Sequence, residues 1–124
     1  MAAASNRNTT LTPSYFEETD LTKEGGSDIL KSGTGNLYTI SLTKGGTTGP
    51  ACIKFYDATD FTYGTDHPDI VITMAATQTS MVIVSRTGVA FTSGVCVGAG
   101  RIGGTASGSD NDPADATQIE IVGD

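Results

Sequence analysis

Apolar and polar positions alternate with a period of two through most of this chain, and the alternation is plainest from Arg86 to Val97. Val89 and Phe91 are flanked there by small or polar residues, Thr92-Ser93-Gly94 interrupts, and Val95 and Val97 resume, which predicts a half-buried strand that bends at Gly94 and continues as a kinked ribbon. Ile29-Leu30-Lys31, the turn-rich Ser32-Gly33-Thr34-Gly35 and the set Tyr38, Ile40 and Leu42 predict a hairpin with one wet face. Gly45 to Pro50 makes the next turn. Ala51 to Tyr56 predicts a strand with Ile53 and Phe55 inward and Lys54 and Tyr56 outward or at an interface. Ile70, Ile72 and Met74 form another, then Met81 with Ile83, or Val82 with Val84, and Gln118 to Val122 comes last. About seven strands spaced at roughly eight to twelve residues call for two facing sheets. Between them, Asp57 to Asp69 reads as a long surface loop, and Gly98 to Ala116, with Ile102 as its only large apolar side chain, as a polar insert outside the core.

The first 28 residues lack this order. Leu11, Tyr15, Phe16 and Leu21 are their few large apolar groups, at neither strand nor sustained helical spacing. Ordering a backbone costs about 1 to 2 kcal/mol per residue, so residues 1–28 are expected to form an extended arm that orders on a partner, with those four residues as its contacts. Tyr15 and Phe16 offer the most area for the least entropy. The alternative is a frayed tail, or a short strand paired to the domain's own edge. The expected organisation is all-β, an arm over residues 1–28 and a single β-sandwich over 29–124.

Composition agrees: 124 residues suffice for one core, and sixteen Gly and twenty Thr with no Trp favour strands and turns over helices. Fourteen acids against seven bases give a formal charge of -7, which opposes binding to nucleic-acid phosphates and helps to keep copies apart. No secretory apolar core opens the chain and no run reaches the roughly eighteen apolar residues of a membrane span, so synthesis in the cytosol and no membrane partner are expected. Cys52 and Cys96 lie on the opposite parity from the apolar residues of their strands, on outer faces or in a second interface, and are expected as free thiols.

Several stretches imitate chemical motifs. Gly98-Ala99-Gly100-Arg101-Ile102-Gly103 spells the dinucleotide fingerprint, but Gly104-Thr105-Ala106-Ser107-Gly108-Ser109 cannot start the helix that pyrophosphate binding needs. Asp110, Asn111, Asp112 and Asp115 offer oxygens for a hard cation without the Gly and distant Glu of an EF-hand. His67 is the only histidine, too little for zinc. Ser41 and Lys44 copy a Ser-x-x-Lys pair, yet i and i+3 on a strand face opposite ways. Asn8-Thr9-Thr10 fits a glycosylation acceptor without a secretory context. No catalytic residue, cofactor or metal is expected, and the chain does not read as an enzyme.

Ile29-Leu30-Lys31-Ser32-Gly33 with Leu37-Tyr38-Thr39-Ile40, then Lys54-Phe55-Tyr56-Asp57, Gly64-Thr65-Asp66-His67-Pro68, Gly88-Val89-Ala90-Phe91-Thr92-Ser93-Gly94-Val95 and an Asp-rich loop before a last strand resemble, in that order, the small structural proteins of tailed bacteriophage virions. The resemblance covers about residues 28 to 123. It implies a β-sandwich or jelly-roll-like module and a capsid decoration or cement protein on the outer shell, with the major capsid protein as partner and no catalytic residues. A homotrimer at a threefold or quasi-threefold position is the expected assembly. The rival expectation is a tail, fibre or head-appendage module whose Asp57 to Pro68 and Gly98 to Ala116 loops touch host glycans.

Overall fold

The computed structural model describes residues 14–23, 29–104 and 110–124, with the backbone alone for 14–16 and 29–32. Eight strands follow one another: β1 (Ser14–Glu18), β2 (Ile29–Ser32), β3 (Gly35–Lys44), β4 (Ala51–Tyr56), β5 (Ile70–Met74), β6 (Ser80–Phe91), β7 (Gly94–Gly100) and β8 (Thr117–Gly123). There is no helix among the described residues.

Four antiparallel pairs, β1 with β8, β2 with β7, β3 with β6 and β4 with β5, describe one long hairpin. Rolled up, it gives two four-stranded sheets in the orders β1-β8-β3-β6 and β2-β7-β4-β5, the connectivity of a jelly roll. Alternation dictates the packing: Leu37, Ile40, Leu42, Ile119 and Ile121 from one sheet meet Ile53, Phe55, Met74, Val95 and Val97 from the other, all buried. Each such side chain contributes about 1.5 to 3 kcal/mol on leaving water.

The rolled hairpin corrects two expectations at once. β2 and β3 are not a hairpin, and the ribbon from Arg86 to Val97 does not continue in one sheet, because both segments cross from sheet to sheet. The crossings lie side by side: the Gly33 amide donates to the Ser93 carbonyl (2.9 Å) and the Thr34 hydroxyl to that of Thr92 (3.1 Å). The Asp57 carboxylate holds the second crossing through the amides of Thr92, Ser93 and Gly94, and these bonds keep it below the usual carboxylate range.

Tyr38 is a further correction. The register slips between Leu37 and Thr39, so Leu37, Ile40 and Leu42 face inward and Tyr38 outward, where its hydroxyl donates to Asp124 (2.9 Å). Opposite Tyr38, β6 spends four residues, 85–88, and Gly88 turns the chain at φ +85° with a Cβ position 2.7 Å from Asn36 Cβ.

The segment after β1 is part of the fold. Leu21 is 1% exposed within the core, its amide donates to the Thr117 carbonyl, and the Thr22 carbonyl accepts from Ala99, so this stretch bonds to one strand of each sheet. Residues 14–18 thus take the alternative of a strand on the domain's own edge, and Leu21 is spent on the core rather than presented to a partner. The apolar surface of Leu21 provides the reason: buried at the open end of two sheets, it offsets the ordering of its backbone.

Candidate functional site

Two surfaces concentrate side chains beyond what the sandwich needs. The first is the outer face of β4 and β7, on which Cys52, Lys54 and Tyr56 lie opposite Gly100, Gly98 and Cys96. The loop after β4 folds back onto this face. Phe61 stacks on Tyr56 at 4.0 Å between centroids, over Gly98, whose Cβ position lies 2.9 Å from the Phe61 ring. Tyr63 sits over Gly100 and places its ring 4.5 Å from Lys54 Nζ. These glycines are therefore strand residues that leave room for aromatic rings. The polar insert begins after Gly100, not at Gly98, and Ala99 belongs to the core.

Lys54 is 1% exposed, as is Asp110 beneath the same loop. Burial lowers the pKa of Lys54 while the Asp110 charge opposes that shift. Asp110 accepts from the Tyr63 hydroxyl (2.5 Å) and from the amides of Arg101 (2.9 Å) and Asn111 (2.8 Å). Burial pushes its carboxyl up, but these bonds and Lys54 outweigh it and leave the carboxyl below its usual range. Tyr63 is pushed above the ordinary phenol range by burial and by its bond to Asp110, and burial takes Tyr56 to about 12. Cys96, under Tyr56 and Phe61, donates to the Ala58 carbonyl, and burial raises its thiol. A lysine, a carboxylate and two phenols so arranged tie the 57–69 loop to the chain after β7.

The imitated motifs resolve in the same way. Lys44 is buried and donates to the carbonyls of Gly49, Ala75 and Ala76 at 2.7 to 3.0 Å, so it fastens two turns and has no part in activating Ser41. Asp115 accepts from the amides of Thr48 and Gly49, and Asp112 from that of Lys23, so the carboxylates of the Asp-rich loop serve separate donors. Among the described residues no three His, Cys, Asp or Glu side chains are grouped to hold a metal ion. His67 lies exposed in the loop before β5, and both cysteines are free thiols. Among the described residues no helix is long and apolar enough to cross a membrane.

The second surface is the flank made by β5 and β6, outermost strands of their sheets. The inward residues Ile70, Ile72, Met81, Ile83 and Val89 are only half-buried there. Outward, Val82 is 64% and Val84 69% exposed on β6, while Val71, opposite Lys54, faces outward from the other sheet. Of the two alternatives that alternation allows, Met81 with Ile83 or Val82 with Val84, the first pair faces the core. That both parities are apolar was the available signal for this surface.

Of the four expected partner contacts, Leu11 lies outside the described residues, and Tyr15 and Phe16 stand opposite Val122 and Ile121 in the β1–β8 register. Asn8-Thr9-Thr10 lies outside them as well. Compared with known protein families, with curated proteins and with solved structures, the chain has no significant match in any of the three.

Proposed function

We propose that this chain is a virion structural protein of a tailed bacteriophage, a decoration or cement module that binds the outer capsid surface and bridges neighbouring capsid subunits. The observation that carries the reading is the use made of reactive groups: Lys44, Asp57, Asp110 and Asp115 each join loops of the module to one another, and Lys54 holds the 57–69 loop to β4 through the Tyr63 ring. Such a module is a stiff unit suited to repeated contacts on a lattice, where each weak contact counts many times. The jelly roll is a fold common to capsid and lectin domains, which fits the resemblance of residues 28 to 123 without deciding between shell and glycan. The glycan reading has less support, because Phe61 and Tyr63, the aromatic side chains of the 57–69 loop, pack down on β4 and β7.

Imaging of purified virus particles by electron cryomicroscopy, with and without added protein, tests the proposal. Regularly spaced density of one jelly roll on the outer shell is the expected result. Density at the tail alone, or absence of the protein from purified virus, would refute it.

A further inference from the structure

The β5–β6 flank has the properties of an interface, and its chemistry selects the occupant. β6 pairs only with β3 among the described residues, so the other side of Ser80–Val84 presents backbone donors and acceptors to whatever adjoins it. The run Ser80-Met81-Val82-Ile83-Val84 carries no charge, Gly or Pro, and its outward valines are two-thirds exposed. Charge is distributed unevenly as well. No Asp or Glu occurs between Asp69 and Asp110, so a chain of formal charge -7 keeps the two edge strands of this flank, β5 and β6, free of acid, with Arg86 as their one charged residue, whereas the edge strand β1 carries Glu17 and Glu18. Two copies that repel elsewhere can approach along this flank.

We propose that the flank binds a second copy of this chain, with Ser80–Val84 pairing antiparallel to itself about a twofold axis at Val82. Antiparallel pairing is the arrangement that a twofold normal to the sheet produces, and it joins two four-stranded sheets into one of eight. Centred on Val82, the register sets Val82 against Val82 and Ser80 against Val84 on the outer face, and Met81 against Ile83 on the core side. Each pair then has matching faces, as a continuous sheet requires. The two Arg86 side chains lie four residues either side of the axis, about 27 Å apart along the strands and beyond the screening length of physiological salt. The four residues 85–88 that oppose Tyr38 limit pairing to the regular run. Five residues, the two exposed valines among them, cover less than the roughly 800 Å² per partner of a standard interface, so the pair is weak in dilute solution. A pair differs from the expected trimer, and this inference does not depend on the capsid proposal.

Sedimentation equilibrium of the full chain, from about 5 to about 500 µM, tests it over the range suited to a weak interface. A monomer–dimer equilibrium is expected. Val82→Lys and Val82→Glu, each at an exposed position and each checked for an unchanged circular dichroism spectrum, should abolish the dimer when alone by setting like charges against each other. Mixed in equal amounts, V82K and V82E chains should pair again. A monomer throughout, a trimer, open-ended association, a dimer indifferent to both variants, or no rescue on mixing would each overturn the proposal.

Discussion

Lys54 and Asp110 share one buried cluster, yet their removal should have very different costs. Asp110→Asn at pH 7 takes away the anion that compensates a lysine 1% exposed. Breaking a buried charge pair from one side costs about 3 to 5 kcal/mol. Against a total stability of about 5 to 15 kcal/mol, that is a large share. Lys54→Met leaves Asp110 with three donors, the Tyr63 hydroxyl and the amides of Arg101 and Asn111, and replaces a desolvated cation by an apolar chain of similar length. Its effect should lie within about 1.5 kcal/mol of neutral. The double variant should recover about 2 kcal/mol or more relative to D110N, since the stranded charge is gone. Urea unfolding followed by far-ultraviolet circular dichroism measures all three, the chain having no Trp to report by fluorescence. The acid limb offers an independent check. Because folding lowers the Asp110 pKa, its stabilisation is complete above the unfolded value of about 3.9 and is lost as pH falls through the lower folded value. D110N should lack that part of the acid transition. If K54M costs as much as D110N, or the double variant is no better than D110N alone, the account of this cluster is wrong.

Lys44→Met should behave unlike Lys54→Met. It leaves three carbonyls without their charged donor, at about 1.5 to 3 kcal/mol for each bond to a charged group, and hydrogen exchange should speed up at the Gln78 amide of the same turn. Gly88→Ala combines φ +85° with a methyl 2.7 Å from Asn36 Cβ and should cost more than about 1 to 3 kcal/mol, whereas Gly33→Ala, at φ +84° in open space, should cost only about 1 to 2, as thermal melts would show. Leu21→Ala should destabilise by about 2 to 5 kcal/mol in urea; no loss would mean that the segment after β1 does not fill the core.

Strand positions were legible because side-chain parity is local. Ala51–Tyr56 and the inward set Ile70, Ile72 and Met74 could be read from alternation alone. Sheet membership was not, since Ser32-Gly33-Thr34-Gly35 looks the same whether it turns a hairpin or steps between sheets. The bonds that decide, from Gly33 and Thr34 to Ser93 and Thr92, join residues about sixty positions apart. Gly98 and Gly100 were misread as loop for a related reason, as their missing side chains make sense only beneath Phe61 and Tyr63. The exposed flank left a trace in Met81-Val82-Ile83-Val84, apolar on both parities, though periodicity cannot say what the second face meets.

The place of β8, between β1 and β3, has a consequence for how the molecule is made. Among the described residues β1 has no neighbour in that sheet until residues 117–123 leave the ribosome during synthesis, because its partner there is β8, about a hundred positions later. The sheet therefore closes after translation of this segment, slowly, as topologies built on distant pairings do. Until then β1 and β3 carry unpaired edges, the feature that exposes incomplete β folds to association.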